Sequence, residues 1–207
     1  MEDINVYILA GGKSSRMGSE KGLVLFNGKP FIEHIIDVLR KMNLPIHIIS
    51  NTHLYDSFEY PVYSDVVKDK GPLCGIHTAL MNSDKKYNLI LSCDIPFINE
   101  DVIKYLVNKI IGVEDCIAPI HEGCSEPLCA IYSKDCVNIL KNLLDADQLS
   151  IRTALNNINT QFIDVSNQDF YRKNLFMNIN SKKELENINK SDSQKNDTHE
   201  IDWLEGF

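Results

Sequence analysis

The run Leu9-Ala10-Gly11-Gly12-Lys13-Ser14-Ser15-Arg16-Met17-Gly18, followed by Lys21, places paired glycines beside three cationic side chains within thirteen residues. Glycines let backbone N–H groups approach an anion closely, and Lys13, Arg16 and Lys21 bring positive charge to the same place. The chemistry such a loop supports is the binding of a polyphosphate. Arg16 offers a planar fork for phosphate oxygens, and Lys21 offers a compact point charge. Two familiar glycine-loop patterns are excluded. The Walker A spacing puts Met17 where its second glycine must stand. The dinucleotide fingerprint fails because Lys13 or Ser14 falls on a required glycine. Ser14 and Ser15 have no His–Asp partners nearby, so they read as loop hydrogen-bonding groups rather than nucleophiles.

The elements that must position this loop follow from periodicity. Ile4, Val6 and Ile8 alternate with Asn5, Tyr7 and Leu9, a strand that delivers the loop at its end. Asn27-Gly28 marks a turn, and Pro30 opens a helix whose Phe31, Ile35, Leu39 and Met42 share a face. Ile46–Ser50 is a short apolar strand, Val62–Ser64 a weaker one, and Gly71–Gly75 a loop before a helix over Ile76–Met81. Tyr87–Cys93 is the clearest central strand, uncharged and nearly continuously apolar. Asn99 caps a helix reaching Ile110. Strands over Cys116–Ile120 and Leu128–Tyr132 flank a polar loop, and helices follow over Ser133–Leu144 and Ser150–Asn156. Gln161–Val165 and Phe176–Ile179 are expected as late strands, and Ser181–Ile188 as a last helix.

Strands alternating with helices predict a three-layer α/β/α fold around a mostly parallel twisted sheet. Ligands in such sheets bind beyond the carboxyl ends of the strands, where the glycine loop, Asn51, Asp65 and Asp94 all fall. One domain over 1–189 is expected, with a polar tail over 190–207 that carries the sole tryptophan, Trp203.

The chain has 207 residues, 43% hydrophobic and 24% charged, with a formal charge of −8. That balance suits one sizeable core and argues against a general nucleic-acid or anionic-membrane binder. No apolar run approaches the roughly 20 residues of a membrane helix, and the first residues carry no basic leader, so a cytoplasmic location is expected. The six cysteines show neither C-x-x-C pairs nor zinc spacing and read as buried reduced thiols. His34 and His47 read as structural, and Lys85-Lys86 as a solvated turn.

Taken in order, LAGGKSSRMG with Lys21, DVVKDKGPLCGI, LSCDIPF, EPLCAIY and NINSKKEL resemble the molybdenum cofactor guanylyltransferase family over about residues 4–188. The implied fold is the Rossmann-like nucleotidyltransferase fold. The implied activity is transfer of GMP from GTP to molybdopterin, or its molybdenum-loaded form, with release of pyrophosphate. Relatives acting with CTP or on sugar phosphates share the general plan, and a non-catalytic GTP-binding scaffold is the alternative from another class.

The resemblance implies a nucleotide site built from Leu9, Ala10, Gly11, Gly12, Lys21, Asn51, Asp65 and Asp94, with the amides of Ala10–Gly12 on the triphosphate. Arg16, Lys21 and Asp94 are the implied catalytic groups, and Asp94, where a buried strand meets a Pro turn, is the candidate Mg²⁺ ligand. Pro127, Leu128, Asn178 and Asn180 are implied on the acceptor side. The closing motif departs from the family pattern, with Ser181-Lys182-Lys183 where Thr, Pro and an acid are usual. Proteins that deliver the acceptor are implied partners.

Overall fold

The computed structural model describes residues 4–11, 20–179 and 184. Its elements, in chain order, begin with β1 (Ile4–Leu9), the hairpin β2 (Leu25–Phe26) and β3 (Lys29–Pro30), α1 (Phe31–Lys41) and β4 (Ile46–Ile49). They continue with β5 (Val62–Tyr63), α2 (Gly71–Asn82), β6 (Tyr87–Ser92), α3 (Glu100–Val107), β7 (Cys116–His121) and β8 (Cys124–Ser125). The last are β9 (Cys129–Ser133), α4 (Val137–Asp145), α5 (Ile151–Asn157) and β10 (Thr160–Asp164). No helix among the described residues is long and apolar enough to cross a membrane.

The main sheet has the order β10-β7-β9-β6-β1-β4-β5, with β8 added to β7. β1 lies between β4 and β6, parallel to both, in a register that sets Leu9 opposite Ile49 on one side and Ser92 on the other. β5 and β10 also join in parallel, whereas β9 runs antiparallel to β6 and β7. From β1 the chain passes to β4 and β5 on one side, then returns through α2 to β6 on the other. The carboxyl end of β1 is therefore a topological switch point, where a crevice opens.

Alternation along the strands feeds two cores. Val6 and Ile8 share one with Ile32, Ile35, Ile36 and Leu39 of α1 and with Val102, Ile103 and Leu106 of α3. Tyr7 and Leu9 share the other with Leu73, Ile76 and Leu80 of α2 and with apolar residues of α4 and α5. The three layers are thus as expected. Five of the cysteines are buried free thiols and Cys124 is exposed. Burial pushes the Cys93, Cys116 and Cys129 thiols well up, which keeps them unreactive.

Several boundaries differ from the sequence reading. The Gly71–Gly75 segment is no loop but the first turn of α2. Pro72 lies in that turn, where proline's missing N–H costs nothing, and Gly71 supplies a φ of +69° at the entry. Asn99 caps α3 by accepting the Val102 amide at 3.0 Å, yet the helix stops at Val107 rather than Ile110. There the Glu114 carboxylate collects the amides of Ile111, Gly112 and Val113 and turns the chain toward β7. The helix expected from Ser133 opens instead with a 3-10 turn, Lys134–Cys136, before α4.

Phe176–Ile179 forms no strand, since it pairs with no described strand of the sheet. It is held by burial of Phe176 in the core beneath α1 and α3 and by the Ile179 amide on the Asp94 carbonyl at 3.3 Å. Of the expected last helix only Glu184 is described, and it is helical. The tail over 190–207 lies outside the described residues.

Candidate active site

The carboxyl ends of β1, β4 and β6 and the first turn of α2 enclose a cavity of about 430 Å³. Leu9, Gly11, Asn51, Asp65 and Leu128, all singled out from the sequence, line it together with Ser50, Thr52, Gly75 and Ser92. Asp94 follows β6 directly and is buried, with only 5% of its surface exposed. Its Oδ2 is ion-paired with Lys21 Nζ, and its Oδ1 accepts the Ser92 hydroxyl. The anion loop's last cation and the strand-end acid therefore meet next to Glu20 and Ser92, which line the cavity, although neither Lys21 nor Asp94 lines it itself. Gly12, Arg16 and Asn180 lie outside the described residues.

Lys21 owes its position to a close approach. It opens a 3-10 turn, Lys21–Leu23, in which Gly22 packs on the fully buried Tyr55. A Cβ on Gly22 would stand 2.9 Å from the Tyr55 hydroxyl oxygen and 3.3 Å from Cβ of Cys93, so only glycine fits. Tyr55 belongs to a 3-10 helix, His53–Phe58, that follows Asn51 and Thr52. The turn bearing the cation is thus seated on the segment that follows the cavity-lining Asn51 and Thr52.

On the other wall, Asn51 and Asp65 pair reciprocally. Asn51 Nδ2 donates to Asp65 Oδ2 at 2.8 Å, and the Asp65 amide donates to Asn51 Oδ1 at 3.0 Å. The remaining oxygen, Asp65 Oδ1, is buried with no hydrogen-bond partner among the described residues. Burial pushes this carboxyl above the usual carboxylate range, opposed by the Asn51 bond. A buried acceptor without a donor is costly, and it marks a place built for a ligand N–H or O–H. Gly75 keeps that place open: a Cβ there would meet Leu9 Cδ2 at 3.2 Å and lie 3.8 Å from Asp65 Oδ1.

Some expected residues serve differently. The Ala10 amide donates to the Ile49 carbonyl at 2.9 Å, which extends the sheet ladder and commits that N–H away from a triphosphate. Leu128 lines the same cavity as Leu9 rather than a separate one, with its carbonyl accepting the Ser92 amide at 2.8 Å. Pro127 does not line it, and its carbonyl accepts the Tyr132 hydroxyl at 2.9 Å. Asn178 is exposed one residue before Ile179, whose amide reaches Asp94. Ser92, Thr52 and Gly75 escaped sequence reasoning. Ser92 stood next to a marked residue, but only the pleat at the strand end turns its hydroxyl onto Asp94.

A larger and more open hollow, about 580 Å³, lies between α3 and residues 168–172 and contains none of the expected site residues. Its cations are already engaged, Lys104 by Glu100 at 2.8 Å and Arg172 by the carbonyls of Asp169 and Tyr171. Among the described residues no group of three or more His, Cys, Asp or Glu side chains could hold a metal by itself.

Comparison with known proteins agrees with this geometry. The chain is 41% identical over 189 residues to a probable molybdenum cofactor guanylyltransferase of Flavobacterium johnsoniae, covering 91% of this chain and 98% of that one. It is 31% identical over 190 residues to a molybdenum cofactor guanylyltransferase of Desulfosudis oleivorans, covering 90% and 94%. The crystal structure of molybdopterin-guanine dinucleotide biosynthesis protein A from Archaeoglobus fulgidus superposes with a TM-score of 0.78 at 25% identity, covering 92% of this chain and 99% of that one. The family model for the MobA-like NTP transferase domain matches residues 6–161. The chain is a nucleotidyltransferase and belongs to the MobA-like NTP transferase family.

Proposed function

We propose that this enzyme transfers GMP from GTP to molybdopterin or its molybdenum-loaded form, releasing pyrophosphate, with Mg²⁺ as the metal. The observation that carries the reading is the Lys21–Asp94 ion pair, joined through Ser92 to a cavity that also holds the buried Asp65 Oδ1, which has no hydrogen-bond partner among the described residues.

Guanine carries an amide N–H and an amino group on one edge, and a carboxylate oxygen accepts both kinds of donor. Asp65 Oδ1, held open by Gly75 and oriented by Asn51, meets that requirement. The base and ribose then occupy the side of Asn51, Thr52 and Asp65, and the triphosphate runs toward Gly11 and Lys21. Gly12 and Arg16 complete the phosphate cradle in this reading.

Asp94 fits a Mg²⁺ site of the kind that takes one or two carboxylates and leaves its other positions to phosphate and water, since the described residues form no all-protein cage. When bound, the metal offsets charge on the phosphate oxygens. Lys21 adds a second positive charge against the leaving pyrophosphate. The terminal phosphate of the acceptor supplies the nucleophilic oxygen. Its bond to the α-phosphorus forms as the bond from that phosphorus to the bridging oxygen breaks, and the electron pair leaves with pyrophosphate. The attacking phosphate is already ionised near neutral pH, so positioning and charge neutralisation are the main demands on the protein.

We take residues 1–189 as the transferase domain, with 190–207 as an appended tail. The cytoplasm is the compartment that fits, since GTP is available there and other proteins can hand over the acceptor. The test is incubation with molybdopterin-carrying protein, Mg²⁺ and each of GTP, CTP, ATP and UTP, followed by mass analysis of the pterin. A guanylated product formed from GTP alone is expected. Equal use of CTP, or no nucleotidylated pterin, would overturn the reading.

A further inference from the structure

Beyond Asp94, away from the nucleotide cavity, the described residues hold a second polar constellation that the transfer chemistry above leaves unused. Glu126 sits in the turn between β8 and β9, and its Oε1 lies 3.0 Å from His121 Nε2. At the other ring nitrogen, Nδ1, the Tyr171 hydroxyl lies 3.2 Å away. The Phe176 ring packs on the imidazole with centroids 4.9 Å apart. The relay is therefore held at every joint, and it ends on a carboxylate whose side chain is 22% exposed.

The main chain locks this carboxylate to the reaction centre. The Glu126 amide donates to Pro119 at 2.9 Å and its carbonyl accepts from Cys129 at 3.0 Å, while Leu128, two residues on, accepts the Ser92 amide at 2.8 Å. Ser92 in turn holds Asp94. Burial raises the Glu126 carboxyl, and the His121 bond draws it back. An acid tied through this turn to the Ser92–Asp94 pair and fixed by its own histidine is positioned toward the reaction centre.

We infer that Glu126, oriented by His121, recognises the acceptor by accepting hydrogen bonds from the N–H groups of its pterin ring. This rests on the reaction proposed above, which makes the acceptor a pterin bearing a terminal phosphate. The chemistry divides the cleft. Phosphates belong with Gly11, Lys21 and Asp94, whereas a carboxylate beyond Asp94 repels a phosphate and attracts the uncharged, donor-rich ring. It also disfavours acceptors that carry further anionic groups at that position, so it acts on specificity as well as affinity. Glu126 is the contacting residue here and His121 a positioning residue.

The experiment measures binding of molybdopterin, without nucleotide, to the full-length wild type, Glu126→Gln and His121→Asn, together with GTP binding and the acceptor KM and kcat of each. Expected are a tenfold or greater loss of molybdopterin affinity in Glu126→Gln, a smaller loss in His121→Asn, and GTP affinity within twofold of wild type in both. The losses should enter through the acceptor KM more than through kcat. Thermal unfolding of Glu126→Gln should match or exceed wild type, which separates the effect from misfolding. Equal molybdopterin binding in wild type and Glu126→Gln, or a parallel loss of GTP binding, overturns the inference. If molybdopterin binds in a Glu126-dependent way but no guanylated pterin forms, the proposed reaction fails while this assignment stands.

Discussion

Lys21 Nζ and Asp94 Oδ2 form an ion pair between groups 73 residues apart in the chain, with the carboxylate side chain 7% exposed and the lysine 24%. Asp94 is further held by Ser92, so removing the lysine leaves a nearly buried charge that, among the described side chains, keeps the Ser92 hydroxyl as donor. Breaking such a pair costs about 2 kcal/mol of stability, less than a fully buried pair because the lysine retains solvent.

Lys21→Ala and Asp94→Ala are therefore expected to lower pyrophosphate release by about a hundredfold or more while the protein stays folded at room temperature. Steady-state pyrophosphate assays beside thermal unfolding separate the two effects. Full activity in either variant would remove that residue from the site.

Gly22→Ala tests how the cation is seated. The added methyl meets the Tyr55 hydroxyl at 2.9 Å, in a place with no room to give. Overpacking of this kind costs about 1–3 kcal/mol. The variant should lose both stability and turnover, and the double variant Gly22→Ala/Tyr55→Phe should recover part of each, because the clashing oxygen is gone. No recovery would place the decisive clash on the Tyr55 ring or on Cys93 rather than on the hydroxyl.

Asp65→Asn reverses the polarity of part of the buried edge by placing an N–H₂ where a carboxylate oxygen stood. GTP affinity should fall by about tenfold, the worth of one charge-assisted hydrogen bond, and preference over ATP should narrow. Nucleotide-dependent shifts in thermal midpoint with Mg²⁺ measure it directly. An unchanged order of nucleotides would move base recognition away from Asp65.

His77 carries a pH dependence of stability. It is 5% exposed on α2, and neither ring nitrogen has a hydrogen-bond partner among the described residues. Burial lowers its pKa, Lys141 lowers it further and Asp145 partly opposes; burial likewise lowers His47. A histidine whose folded pKa is depressed binds its proton preferentially in the unfolded chain. Stability is therefore full above the unfolded value near 6.5 and falls as pH drops below it, until the folded pKa is passed. His77→Phe should flatten that decline between about pH 6.5 and 5 in thermal-unfolding scans. An unaltered slope would assign the acid sensitivity to His47 or to carboxylates.

The family-specific motifs and the layer architecture were legible in the chain itself, because short-range rules govern them. Alternation in Ile4–Leu9 and the uncharged, nearly continuously apolar run Tyr87–Ser92 require buried strands, and helical spacing in Phe31–Leu39 requires a covering face. Glycines and cations clustered after a strand mark an anion site before any coordinates exist. What local rules do not contain is the partner of a side chain. That β9 runs antiparallel between β6 and β7 depends on the packing of the whole sheet, and it alone brings the Glu126–Leu128 turn beside Ser92 and Asp94. The orphaned Asp65 oxygen, the seat of Gly22 on Tyr55 and the relay from Tyr171 to Glu126 are likewise contacts between distant segments. Composition and periodicity specify which faces must be buried, but the geometry of close packing decides which polar atoms then meet.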